Sequence, residues 1–195
     1  YTAKIPFSDF KVFDFICQNV PKNSQLQVSN SSAIRYLQLF DLDESVQVFC
    51  NRGTSGIDGS TSTAIGAASA TNLPTMLITG DISFLYDSNA LWNNYIPKNF
   101  KIILLNNNGG GIFRILPGHQ ETETFNTYFE TSHQLNASHL ANMYGLDYFQ
   151  ASDEKTLQQQ YTKFLNQNEK PSILEIFTPE KENNGILLEF FRRLK

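Results

Sequence analysis

The sequence has 195 residues and a formal net charge of −4, and 41% of the residues are hydrophobic. This length suits one compact domain, 1–195, with a buried core, and the acidic balance argues against nucleic acid as a partner. No apolar run approaches the roughly 18 residues of a membrane span, so we expect a cytoplasmic protein. Because the chain begins at Tyr1 rather than Met, we also expect that it was cut from a longer chain.

Short aliphatic runs of strand length alternate with longer amphipathic segments along the chain. The predicted strands are 25–29, 46–50, 75–79, 101–105 and 172–177. Helical spacing occurs near 6–20, 31–40, 59–72, 82–95, 134–145, 153–168 and 179–194. This alternation predicts a doubly wound, mostly parallel α/β sheet with helices on both faces.

The loops after the predicted strands are where a ligand of such a sheet binds. Gly53, Gly56 and Gly59 follow the second predicted strand, and residues 109–111, all glycine, follow the fourth. Glycine lets the backbone approach a ligand closely. The polar stretch 117–131 is long for a connection, and it is either a mobile flap or a disordered insertion.

Two of these loops carry oxygen-bearing side chains. Residues 80–83 read Gly-Asp-Ile-Ser after the third predicted strand, and residues 106–111 read Asn-Asn-Asn-Gly-Gly-Gly after the fourth. Separately, each has an ordinary explanation, because Asp caps helices and Asn favours turns. If the two segments follow neighbouring strands of the sheet, they bring a carboxylate, an amide oxygen and a glycine carbonyl close to one point. Such hard ligands suit Mg²⁺ or Ca²⁺ and leave coordination positions for a phosphate.

The same segment has features that fit a diphosphate. Gly80 leaves room for it, Ser83 can donate a hydroxyl hydrogen bond, and a helix starting at Ile82 would offer free N–H groups. No GxxxxGK[ST] or GxGxxG motif occurs in the sequence, which disfavours an ATPase or a nicotinamide enzyme.

Gly80-Asp81 followed by Asn106-Asn107 resembles the metal and diphosphate signature of thiamine-diphosphate enzymes. Residues 51–59 (NRGTSGIDG) and 107–113 (NNGGGIF) resemble one branch, the MenD family of 2-succinyl-5-enolpyruvyl-6-hydroxy-3-cyclohexene-1-carboxylate synthases. The resemblance runs from about residue 29 to residue 116. It implies that this chain is the C-terminal, diphosphate-binding domain of a larger enzyme.

The resemblance also implies residue roles. Mg²⁺ or Mn²⁺ would be bound by the side chains of Asp81 and Asn107 and by the carbonyl of Gly109. Thiamine diphosphate would contact Ile57, Gly80, Asp81, Ile82, Ser83, Asn107, Gly109 and Ile112, with Ile57 under the thiazolium ring. The substrates would contact Ser31, Arg35, Arg52, Ile112, Phe113 and Leu116. An arginine fork suits substrate carboxylates.

The activity implied by the resemblance is menaquinone biosynthesis: decarboxylation of 2-oxoglutarate and addition of the succinyl-semialdehyde unit to isochorismate. The resemblance further implies that no catalytic residue lies in this domain, and that the activating Glu is in an N-terminal domain, usually of the partner subunit of a homodimer or homotetramer. We therefore expect the chain by itself to be inactive and to bind the cofactor weakly.

Two alternatives remain open from the sequence. Another thiamine-diphosphate enzyme, such as an acetolactate synthase or a 2-oxoacid decarboxylase, would share Asp81 and Asn107. A non-catalytic doubly wound module would not need these residues to converge. His119, His133 and His139 have no metal-ligand spacing, and we interpret them as solvated or capping residues.

Overall fold

The computed structural model describes residues 1–194; Lys195, the last residue of the predicted domain, lies outside the described residues. Six strands form one sheet of order β2-β1-β3-β4-β6-β5, and every neighbouring pair is parallel. The strands are β1 Gln25–Val28, β2 Gln47–Cys50, β3 Thr75–Gly80, β4 Lys101–Asn106, β5 Asp147–Ala151 and β6 Ser172–Phe177. The α-helices are α1 Asp9–Asn19, α2 Ser32–Leu37, α3 Ser60–Ser69, α4 Asp81–Tyr86, α5 Ser138–Tyr144, α6 Glu154–Asn166 and α7 Asn183–Arg193.

The sheet is covered on both faces, as the alternation of strands and helices predicts. Within β4, Ile103 and Leu105 pack with the cluster that contains α1, α2, α6 and α7. Ile102 and Leu104 pack with the other cluster, which contains α3, α4 and α5. Because successive side chains of a strand point to opposite faces, one continuous aliphatic run serves both cores. The doubly wound fold is therefore confirmed.

Two local expectations were wrong. The sequence predicted five strands and missed β5, Asp147–Ala151, which has no aliphatic run and whose residues are mostly half-buried. The helix expected over 82–95 ends at Tyr86, and a 3-10 helix follows at Ser88–Trp92. Asp87 lies between the two helices. Its carboxylate accepts a hydrogen bond from the Ser62 amide at 2.7 Å and thereby caps the N-terminus of α3.

The strand order locates the crevice where a ligand would bind. From β1 the chain continues to β2 on one side of the sheet, whereas from β3 it continues to β4 on the other side. The loops that follow β1 and β3 therefore diverge and leave a crevice at the carboxyl ends of these two strands. The longest described helix, α6, has 13 residues, and none of the helices within residues 1–194 has the length and apolarity needed to cross a membrane.

Lys101 is a buried cation at the opposite end of the sheet. Its residue is 5% exposed, and its Nζ donates hydrogen bonds to the carbonyl of Gln167 and, at 3.2 Å, to Ser172 Oγ. The ammonium also lies 5.3 Å from the centre of the Phe164 ring. Burial lowers the pKa of Lys101 to about 8, against the opposing charge of Asp147.

We expect this lysine to make the stability of the protein rise at alkaline pH. The folded state releases the Lys101 proton near pH 8, whereas the unfolded chain keeps it to about pH 10.4. The unfolded state then binds more protons, and the free energy of unfolding rises with pH. Urea unfolding from about pH 7.5 to about pH 9.5 should show wild type gaining stability relative to Lys101→Met. A difference that stays constant with pH would contradict the assignment.

Candidate functional site

A cavity of about 240 Å³ lies at the carboxyl ends of β1, β3 and β4. Residues that leave all three strands line it, as do α1 and the segment 128–131. Ten of the residues predicted from the sequence border this one cavity: Ser31, Ile57, Gly80, Asp81, Ile82, Ser83, Asn107, Gly109, Ile112 and Phe113. The structure therefore brings together all three predicted metal ligands, although their predicted roles stay predictions.

Asp81 ties two of the loops together. It is 5% exposed, and its Oδ2 accepts a hydrogen bond from the Gly109 amide at 2.9 Å. Its Oδ1 accepts the amide hydrogen of Ile82 at 2.7 Å. The Ile82 N–H, expected to be free for a ligand, is therefore occupied by the adjacent carboxylate. Asp81 stands at the first position of α4, where the helix dipole favours a negative charge.

Asn107 is held by a residue that the sequence reasoning missed. Its Nδ2 donates a hydrogen bond to Oδ2 of Asp9 at 3.0 Å. Asp9 lies in the first turn of α1 and is 3% exposed. Burial and then the nearby charge of Asp81 raise the pKa of Asp9 to about 6, although hydrogen bonds from Thr178 and Asn107 oppose the shift. Asp9 could have been found as an acid among the buried residues Phe10, Val12 and Phe13.

The charges of the cavity suit a divalent cation. Two buried carboxylates, Asp9 and Asp81, line it, and its described lining contains no Lys, Arg or His. Within residues 1–194 no cluster of three His, Cys, Asp or Glu could hold a metal, so the donor set would be mixed. The Gly109 carbonyl accepts one hydrogen bond, from the Gly111 amide at 3.0 Å, and keeps a second lone pair. Carboxylate, amide and carbonyl oxygens are the ligands that Mg²⁺ and Mn²⁺ prefer.

His133 corrects the interpretation of the histidines as solvated or capping residues. Its side chain is 11% exposed, and its Nε2 lies 3.3 Å from Asp81 Oδ2. Its Nδ1 accepts the Leu135 amide hydrogen at 3.1 Å, which leaves the ring proton on Nε2. Asp81 raises the pKa of His133 against the effect of burial. His119 and His139 are exposed, as expected.

Ser83 and Ile57 are coupled to each other. The Ser83 hydroxyl, expected to serve a ligand, donates to the Ile57 carbonyl at 2.5 Å. This bond fixes the glycine-rich loop after β2 against the start of α4. It places Ile57 in the lining of the cavity, where the sequence resemblance positions it under the cofactor.

The remaining predicted substrate residues do not line the cavity. Arg35 is exposed and donates to the Ser31 carbonyl at 2.9 Å, and Arg52 donates to Asn30 Oδ1. Both arginines therefore support the loop after β1, in which Ser31 adopts φ 71°, a sparsely populated conformation for a residue with a Cβ. Leu116 is 47% exposed and lies outside the cavity lining.

The stretch expected to be a flap or a disordered insertion forms a wall of the cavity. It contains a π-helical turn over Phe125–Glu130. Glu130, the last residue of this turn, forms a bidentate ion pair with Arg114, and the two residues are 1% and 2% exposed. The Gly110 amide donates to the Glu130 carbonyl at 2.6 Å. The wall therefore rests directly on the glycines that follow β4.

Comparison with known proteins agrees with this architecture. Residues 30–176 match the family described as the thiamine pyrophosphate enzyme, C-terminal TPP binding domain. The fold is similar to that of benzoylformate decarboxylase from Polynucleobacter necessarius, with a TM-score of 0.74 and 18% identity over 93% of this chain and 35% of that one. The chain belongs to the thiamine pyrophosphate-binding domain family.

Within that class, the chain is similar to the 2-succinyl-5-enolpyruvyl-6-hydroxy-3-cyclohexene-1-carboxylate synthases. It is 66% identical to the enzyme of Flavobacterium johnsoniae and 68% identical to that of Flavobacterium psychrophilum, over all of this chain and 35% of each relative. The enzyme of Bacteroides fragilis is 40% identical over 98% of this chain. The chain thus spans about a third of the length of these relatives.

Gly109→Ala tests the contact between the wall and the glycine loop. A Cβ at Gly109 would lie 2.6 Å from the Glu130 carbonyl oxygen, and φ is +154° there. We expect a loss of about 1–3 kcal/mol in the free energy of unfolding. Gly66→Ala is the matched control, because a Cβ there meets nothing within 4 Å and the site lies inside α3; it should be neutral or stabilising. Equal effects in chemical denaturation would contradict the described packing.

Proposed function

We propose that this chain supplies the metal- and diphosphate-binding half of a thiamine-diphosphate-dependent synthase. The enzyme would decarboxylate 2-oxoglutarate and join the succinyl-semialdehyde unit to isochorismate. The observation that carries the proposal is the meeting of Asp81, Asn107 and Gly109 in one cavity whose described lining has no basic side chain. A diphosphate can enter such a site only if a cation balances its charge.

In this proposal, one Asp81 oxygen, Asn107 Oδ1 and the Gly109 carbonyl would hold Mg²⁺, which would balance the charge of the diphosphate. Gly80 supports this role, because a Cβ built there meets nothing within 4 Å, so the backbone borders open space in the cavity. Thiamine diphosphate, when bound, supplies the carbanion chemistry. The part of this chain is to bind and orient the cofactor.

The apolar lining would exclude water from the reacting centre. Ile57, Ile112 and Phe113 border the cavity, and water exclusion strengthens electrostatic interactions and prevents side reactions. Arg35, in α2, and Arg52, just after β2, stand outside the cavity and hydrogen-bond to the loop after β1. They are suited to receive carboxylate groups of substrates at the entrance.

The rest of the site would come from chain beyond these residues. The relatives named as synthases are about three times longer, so we propose that their other domains, in a homodimer or homotetramer, supply the activating Glu and the second wall. The 195-residue chain by itself would then be inactive.

The test is product formation by the intact protein with 2-oxoglutarate, isochorismate, Mg²⁺ and thiamine diphosphate, followed by mass spectrometry. Asp81→Ala should lower kcat/KM by about 100-fold or more and weaken Mn²⁺ binding, because a metal ligand is lost. Arg192→Ala, on the exposed end of α7, is the control and should match wild type. The 195-residue chain alone should give no product. An active Asp81→Ala variant, or an intact wild type without turnover, would refute the proposal.

A further inference from the structure

Asp9 is a buried carboxylate that has no part in the reaction proposed above. It borders the cavity and is 3% exposed. Oδ1 accepts the Thr178 hydroxyl hydrogen at 2.6 Å, and Oδ2 accepts the Asn107 amide at 3.0 Å. None of the salt bridges among residues 1–194 involves Asp9. A buried acid without a cationic partner costs stability, so its position calls for a functional explanation.

The hydrogen bond from Asn107 fixes the orientation of an amide. An ionised carboxylate only accepts hydrogen bonds, whereas a primary amide has a donor on one side and an acceptor on the other. Asp9 therefore selects the orientation in which Nδ2 of Asn107 faces α1. The Asn107 Oδ1 is then turned away from Asp9, and within residues 1–194 it accepts no hydrogen bond. Turned by 180°, the amide would present a donor that cannot bind a cation.

Asp9 is itself held before any ligand binds. Its backbone N–H donates to Asn183 Oδ1 at 2.8 Å, at the start of α7. Thr178, which fixes the other carboxylate oxygen, follows β6. Asp9 is thus bonded through its carboxylate to the residue after β6 and through its backbone to the start of α7. Both elements pack on the same core as α1, and neither bond involves the loop that Asp9 orients.

We propose that Asp9 is a positioning residue, which orients the Asn107 amide so that its oxygen faces the metal. This inference rests on the metal site of the proposed function. It adds a residue of the first helix, far from the glycine-rich motifs, to the determinants of metal affinity. Groups that orient metal ligands typically contribute 10–100-fold to affinity.

The experiment is a double-mutant cycle on Mn²⁺ affinity, measured by electron paramagnetic resonance on the intact protein. Asp9→Leu should weaken Mn²⁺ binding by about 10–100-fold. In the Asn107→Ala background no amide is left to orient, and no second carboxylate is placed against Asp9. There, Asp9→Leu should change the affinity by less than about 3-fold. Asp9→Ala replaces Asp9→Leu in the cycle if the leucine variant does not fold.

The control is Phe164→Leu, a core substitution in α6 at a residue that does not line the cavity; it should lower the melting temperature and leave Mn²⁺ affinity unchanged. An equal loss from Asp9→Leu in both backgrounds would show that Asp9 acts through its charge and would overturn the proposal. If Asp9→Leu lowers the Mn²⁺ affinity in neither background, the proposal is also overturned. Wild type that binds no Mn²⁺ would overturn the metal site itself, whereas failure of the cycle alone leaves that site intact.

Discussion

The parallel pairing of β3 with β4 is the constraint on which the candidate site depends. The register places Gly80 beside Leu105, so both strands end at the same edge of the sheet. Asp81 follows one end and Asn107 lies just beyond the other, and the bond from the Gly109 amide to Asp81 closes the two loops on each other at 2.9 Å. A shift in register would separate the carboxylate from the amide.

The electrostatics of the site follow from what surrounds that pairing. Asp9 and Asp81 are both buried, and no basic side chain is among the described residues of the cavity lining. Outside the lining, His133 lies against Asp81 at 3.3 Å. Buried carboxylates are normally paired or coordinate a metal. A bound cation would offset the repulsion between the two acids and would give an anionic ligand its partner.

The sequence predicted those parts of the structure that depend on local pattern. Aliphatic runs such as 101–105 identified the buried strands, and the Gly-Asp and Asn-Asn-Gly motifs identified the loops that meet. It did not predict β5, because Asp147 and Gln150 interrupt any apolar run in that strand, whereas the other edge strand, β2, has one at 46–50. Asp9 and His133 were also missed as site residues, since their roles arise from contacts between distant parts of the chain. Such contacts leave no periodic pattern in the sequence.

The most direct test of the central claim is a crystal structure of the intact protein with thiamine diphosphate and Mn²⁺, using anomalous scattering to locate the metal. The account predicts one ion within about 2.5 Å of an Asp81 oxygen, of Asn107 Oδ1 and of the Gly109 carbonyl, with diphosphate oxygens at its other positions. An ion bound elsewhere, or a diphosphate bound without a metal, would contradict it.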